Sequence, residues 1–254
     1  MGGIVPPILN KLKKVRLDRF LSNAGIGSRK EVKLFIKKGK VSVNGQLIKN
    51  PSYQIDLQVD IVCFDDKPVL LKNNYYFMFN KPSGYITAIE DKNFPTVMEF
   101  FSSLPFYRRL FPVGRLDIDT EGLLIVTDDG MFAHRVSHPK WGVEKEYYAV
   151  VKGNIKNIDY TKYEITGIKL KDYQTKPFKI KLISTDDKKS EITITVKEGK
   201  YHIVKKIMEK LGHPVMYLKR IRIGSLLLDE NLSPGEYREL TEEEIKHLKQ
   251  VVNL

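Results

Sequence analysis

The stretch Gly114-Arg115-Leu116-Asp117-Ile118-Asp119-Thr120-Glu121-Gly122-Leu123-Leu124 sets two aspartates, a glutamate and an arginine directly ahead of an apolar run that continues through Ile125 and Val126. Pro112 and the glycines at 114 and 122 mark a loop, and Leu123 to Thr127 reads as a buried strand. A carboxylate beside such a strand and close to an arginine is a candidate nucleophile or general base. The residues by themselves do not rank Asp117 above Asp119 or Glu121. Taken alone, the stretch reads first as an ordinary loop with Arg–Asp pairs at the surface.

Strand-like runs flank it on both sides: Tyr76 to Asn80, Tyr147 to Lys152, Lys179 to Ser184 and Glu191 to Lys197. A helical pattern covers Tyr201 to Leu211. Thr241-Glu242-Glu243-Glu244 opens a last helix, with acids in the first turn as the dipole prefers. Strands outnumber helices and do not alternate with them regularly. The expected class is α+β, with a mostly antiparallel mixed β-sheet flanked by helices.

The N-terminal part differs in charge. The 254 residues, enough for two domains, carry 43 Lys and Arg against 31 Asp and Glu, a net charge of +12. Residues 1–50 hold 12 of those bases and only two acids, Asp18 and Glu31, so the remainder is close to neutral. Leu17, Phe20 and Leu21 share one face of an expected helix from Arg16 to Ala24, broken by Gly25-Ile26-Gly27. Ser28 and Glu31 carry a capping-box signature for a second helix, Arg29 to Lys38, stopped by Gly39. Asn44-Gly45 after Val41 and Val43 signals a hairpin. Short strands are expected at Gln58 to Phe64 and Val69 to Lys72, ahead of a linker at Asn73-Asn74. A basic patch of this kind usually meets a phosphate backbone.

Composition excludes other classes. A hydrophobic fraction of 42% and a charged fraction of 29% suit a folded chain. Apolar runs such as Tyr75 to Phe79 fall far short of the roughly 20 residues a membrane helix needs. The single cysteine, Cys63, makes no internal disulfide or thiolate zinc site and fits a reducing cytoplasm. Met1 to Pro7 lacks the charged start and apolar core of a secretory signal. Residues 1–14 read as a flexible basic leader. His134 and His138 stand four apart, but Pro139 follows and no third ligand is near, so no metal is expected. The glycines form no phosphate-binding loop, so no nucleotide cofactor is expected.

Two resemblances follow from these residues. Arg16-Leu17-Asp18-Arg19-Phe20-Leu21, Ser28-Arg29 and Gly39-Lys40-Val41-Ser42-Val43-Asn44-Gly45 resemble the alpha-L RNA-binding motif, over about residues 15–62. That implies docking on structured RNA by shape and phosphate contacts. The RNA-binding set would be Arg16, Arg19, Arg29, Lys30, Lys33, Lys37, Lys38 and Lys40. Four further blocks stand in order: Asn80-Lys81-Pro82-Ser83-Gly84-Tyr85, then Gly114 to Leu124, then Glu144-Lys145-Glu146-Tyr147, then Glu198-Gly199-Lys200-Tyr201-His202-Ile203-Val204-Lys205-Lys206-Ile207-Met208. Together they resemble the pseudouridine synthase superfamily. Asp119, the Glu-Lys ahead of Tyr147 and the run Leu232 to Arg238 resemble its RsuA type, which modifies small-subunit ribosomal RNA. The implied layout is a leader over 1–14, an alpha-L domain with linker over 15–72, and a catalytic domain over 73–254.

The resemblance also implies roles. Asp117 is the catalytic aspartate, Tyr147 the aromatic packed on the target base, Lys205 the cation paired with the carboxylate, and Arg115 an RNA contact near the flipped nucleotide. Asp119 and Glu121 then order the loop or lie exposed. The implied reaction converts a uridine of 16S ribosomal RNA, of the uridine-516 type, to pseudouridine without metal or organic cofactor. The partner would be naked or partly assembled small-subunit RNA, and the enzyme a cytoplasmic monomer. A relative acting on 23S ribosomal RNA and a non-catalytic RNA-binding assembly factor are the alternatives. The chemistry suits the residue types. A carboxylate kept charged in a dry pocket needs a cation to offset desolvation, and an aromatic wall retains the detached uracil. Two departures stand out: Ile203 replaces a frequent Gln, and Lys205 offers a point charge where Arg would offer a fork.

Overall fold

A computed structural model of the chain describes residues 14–69 and 74–254. Two compact units emerge, the first containing residues 14–69 and the second residues 74–102 and 108–254.

In the first unit, β1 (Lys14–Arg16) leads into α1 (Leu17–Asn23) and α2 (Arg29–Lys37). β2 (Val41–Val43), β3 (Gln46–Leu47), β4 (Gln54–Asp56), β5 (Val62–Phe64) and β6 (Lys67–Pro68) follow. β3, β2, β5 and β6 form an antiparallel sheet in that order, and β1 pairs with β4. The expected capping box is present. The Ser28 hydroxyl accepts from the Glu31 amide at 3.3 Å, and the Ser28 amide donates to the Glu31 carboxylate at 2.8 Å. Leu17, Leu21, Val32, Ile36, Val41 and Val62 join a single buried cluster, each contributing about 1.5–3 kcal/mol of burial. The cationic face of α2 is left to solvent.

Three expectations shift here. Lys14 belongs to β1 and not to a leader, because it pairs with Asp56; residues 1–13 lie outside the described residues. The strand expected from Gln58 is confined to Val62–Phe64. Its first half is a turn, in which Asp56 accepts from the Gln58 amide at 3.0 Å and Asp60 accepts from the Asp56 amide at 2.7 Å. Of the strand expected at Val69 to Lys72, residues 70–72 lie outside the described residues.

The second unit runs β7 (Tyr76–Lys81), β8 (Phe111–Val113), β9 (Glu121–Thr127), α3 (Gly130–Ser137), β10 (Lys145–Lys152), α4 (Tyr163–Thr166) and β11 (Phe178–Thr185). It continues with β12 (Lys189–Val196), α5 (Ile203–Lys210), β13 (Val215–Ile223), β14 (Leu226–Leu227), β15 (Tyr237–Glu239) and α6 (Glu242–Val251). The sheet order is β11-β12-β10-β13-β9-β7-β15, with β14 on β13 and β8 on β9. Every pairing is antiparallel except β13 with β9. This is the α+β architecture expected. Met78, Leu123, Ile125, Phe132, Val136 and Leu248 pack into a core between the sheet and helices α3 and α6.

Gly122 is where the parallel pair closes. It has φ +97°, and a Cβ there would fall 2.2 Å from the Arg220 carbonyl oxygen and 2.9 Å from its amide nitrogen. Backbone cannot yield as a flexible side chain does, and the positive φ adds strain. Gly122→Ala is expected to cost about 2–4 kcal/mol, seen as a lowered urea midpoint. An unchanged midpoint would contradict this account of the β9–β13 junction.

Candidate active site

The loop from Gly114 to Thr120 joins β8 to β9, and the segment after β7 holds it by its carbonyls. Lys81 is fully buried, and its ammonium donates to the carbonyls of Pro82 at 3.0 Å, Ile118 at 3.2 Å and Thr120 at 2.9 Å. The Gly84 amide donates to the Ile118 carbonyl at 2.8 Å. The Thr87 hydroxyl donates to the Leu116 carbonyl at 2.9 Å and accepts from the Leu116 amide at 3.1 Å. A buried backbone needs such partners. The Asn80-Lys81-Pro82 block therefore serves the site by fixing the loop that carries Asp117, not by touching it.

Asp117 faces two groups from the start of α5. His202 Nε2 lies 3.4 Å from Oδ1, and Lys205 Nζ lies 3.4 Å from Oδ2. The shorter Lys205 contact goes to Asp119 Oδ1 at 2.6 Å. Burial works against the Lys205 ammonium, but the bond to Asp119 and the charges of both aspartates outweigh it and raise its pKa. The Asp119 carboxyl is lowered, the Lys205 bond and charge prevailing over burial. Lys205 is thus shared between the two carboxylates, a point that spacing in the sequence does not reveal. Glu121 is engaged elsewhere, accepting from the Tyr217 hydroxyl at 2.6 Å.

Tyr147 enters the same cleft from β10, where a bulge between Glu146 and Tyr147 shifts the register against β13. Its cross-strand partner is Arg220, which is 2% exposed. Arg220 Nε donates to the Leu123 carbonyl at 2.7 Å, and its guanidinium carbon lies 6.0 Å from the Tyr147 ring centroid. Its Nη2 has no hydrogen-bond partner among the described residues, an arrangement that costs about 1–3 kcal/mol when no acceptor arrives. Asp117, Tyr147, Lys145, Lys205 and Arg220 all line one cleft. Arg115, exposed at its rim, also lines it. Neither Arg220 nor Lys145 is singled out by the sequence as a cleft residue: Lys145 stands there only within the Glu144 to Tyr147 block, and Arg220 in no block at all.

Lys145 donates to the Val143 carbonyl at 2.9 Å. Burial, with repulsion from Arg220 and Lys176, lowers its pKa from 10.5 to about 8. Between those values the unfolded chain binds more protons than the folded one, so Lys145 makes stability rise with pH. Tyr76 and Tyr217, raised by burial and by their carboxylate partners, act oppositely only above about pH 10. From pH 8 to 10, wild type is expected to gain about 2 kcal/mol relative to Lys145→Met in urea unfolding. Equal pH slopes in the two proteins would contradict a buried Lys145 ammonium.

Arg19, Arg29, Lys30, Lys33, Lys37 and Lys38 are exposed on the first unit. Arg16 is bound to Asp18 at 2.7 Å and Lys40 to Asp65 at 2.9 Å, so each already has an anion. His138 Nδ1 accepts from the Lys140 amide at 3.1 Å and so shapes the turn after α3. Trp141 packs against the core beneath Arg135. Among the described residues, no three His, Cys, Asp or Glu side chains group to hold a metal, and no helix is long and apolar enough to cross a membrane.

Known proteins resemble this chain in sequence and fold. A family model described as RNA pseudouridylate synthase matches residues 75–210, and an S4 domain model matches residues 15–61. An RNA pseudouridine synthase of Aquifex aeolicus is 44% identical over 240 residues, covering 94% of this chain and 98% of that protein. The ribosomal small subunit pseudouridine synthase A of Haemophilus influenzae is 37% identical, over 92% of this chain and 99% of its own. The ribosomal large subunit pseudouridine synthase B of Bacillus subtilis is 39% identical, over 92% and 95%. A crystal structure of a pseudouridylate synthase superposes with a TM-score of 0.61 at 37% identity, covering 92% of this chain and 99% of that one. Matched by the family model over residues 75–210, which carry Asp117, Tyr147 and Lys205, and by relatives along nearly its full length, the chain belongs to the RNA pseudouridylate synthases, with an S4 domain in front.

Proposed function

We propose that the cleft isomerises one uridine of 16S ribosomal RNA to pseudouridine, at the uridine-516 type position, with Asp117 as nucleophile. The observation that carries this reading is the placement of Asp117: it lines the inner cleft with Tyr147, while its neighbour Asp119 takes the closer Lys205 bond. The target nucleotide leaves its stack to enter. Asp117 attacks either the ribose C1′ or the uracil ring. The N1–C1′ bond breaks, the ring turns, and a C5–C1′ bond forms. The C5 proton is lost, N1 gains one, and the carboxylate is released, so no oxidant or cofactor is consumed. Tyr147 walls the detached ring, and Lys205 and His202 each lie 3.4 Å from an Asp117 carboxylate oxygen, where they orient it toward the cleft.

The small-subunit assignment is supported by the Haemophilus relative, whose name places it on that subunit. The Bacillus relative named for the large subunit, at similar identity, supports 23S ribosomal RNA as the second reading. Unmodified 16S and 23S transcripts incubated with the protein and mapped for pseudouridine separate the two. Product at a single 16S uridine is expected. Product on 23S alone favours the second reading, and product on neither overturns both.

A further inference from the structure

Tyr201 is 72% exposed, an unusual position for a large aromatic. It stands just before α5, and its ring stacks on the His202 imidazole with centroids 3.6 Å apart and 20° between planes. His202 holds a left-handed backbone, φ +55°, that a non-glycine residue adopts at some cost. The Nε2 of that imidazole is the atom 3.4 Å from Asp117. Tyr201 is therefore tied, through one stacked ring, to the carboxylate at the centre of the site. It lines an outer cleft together with Thr87, Arg115 and Asp119. That outer cleft meets the inner one at Asp117, His202 and Lys205. The Lys206 ammonium lies 5.3 Å from the Tyr201 ring centroid, and Lys200 and Arg115 border the same space.

The fold gains little from this arrangement, since an exposed ring buries little area. A half-covered aromatic surface bordered by cations is the chemistry that receives a nucleobase and its phosphate. Drawing a nucleotide out of a stack leaves its neighbour with an uncovered face. We propose that Tyr201, backed by His202, is the stacking platform for the base next to the uridine held in the inner cleft. Stacking accepts any base, so the platform contributes affinity and position, not sequence choice. Trp141 does not compete for the role, being packed against the core.

This inference rests on the RNA-modifying reading of the cleft. Its test uses a short RNA that the wild-type protein converts, with 2-aminopurine placed beside the target uridine. Tyr201→Ala is expected to bind that RNA roughly 10-fold or more weakly and to lose the 2-aminopurine fluorescence change seen with wild type. Tyr201→Phe and Tyr201→Trp are expected to keep both, and the melting temperature is expected to stay unchanged in all three. Tyr201→Ala with wild-type affinity and an intact fluorescence change overturns the platform while leaving the proposed function standing. Failure of the wild type to convert any ribosomal transcript overturns the function itself.

Discussion

Asp117→Asn is expected to lose pseudouridine formation by about 10⁴-fold or more in single turnover, while its RNA dissociation constant stays within about threefold of wild type. The amide keeps the shape of the carboxylate but is neither charged nor nucleophilic. The surrounding loop does not depend on that charge. Its carbonyls are held by Lys81, Thr87 and Gly84, and Lys205 keeps its bond to Asp119 at 2.6 Å. Loss of activity without loss of folding or binding is therefore the expected pattern. Residual activity near wild type would remove Asp117 from the chemistry.

The second large effect concerns the first unit. Lys30, Lys33, Lys37 and Lys38 lie exposed on and just after α2, so replacing all four with Gln leaves the buried cluster of that unit intact. Every lysine removed from a phosphate lowers the slope of log K against log salt by about 0.7–0.9. The fourfold variant is thus expected to bind RNA about 10²–10³-fold more weakly at moderate salt, with a slope flatter by about 3. Its single-turnover rate on saturated RNA is expected to match wild type. An unchanged salt slope would make these lysines a merely solvated face.

Much of the fold is legible in the sequence because local signals and tertiary structure agree. The strand-like runs Tyr147 to Lys152 and Glu191 to Lys197, the Ser28–Glu31 box and the Asn44-Gly45 turn all become the elements they suggest. The misses have separate causes. Val215–Ile223 carries Lys219, Arg220 and Arg222 and so hides a central strand, since only the cleft explains a guanidinium buried there. α3 is short, 8 residues, and opens on Asp129, which accepts from the Phe132 amide at 3.0 Å; so brief an apolar stretch carries little helical period. At the site, the acidic loop is legible as chemistry, but the division of labour within it is not. Which carboxylate Lys205 favours depends on how α5 meets the loop across 86 residues of chain. Linear spacing carries no trace of that.

That division gives the most direct test. Single-turnover pseudouridine formation is measured for Asp117→Asn and Asp119→Asn side by side, on the same ribosomal transcript. No detectable product is expected from Asp117→Asn. Asp119→Asn is expected to give product at a rate within about tenfold of wild type, since Lys205 then still has Asp117 to pair with. An active Asp117→Asn beside an inactive Asp119→Asn would contradict the assignment, making the exposed carboxylate with the shorter lysine bond the one that reacts.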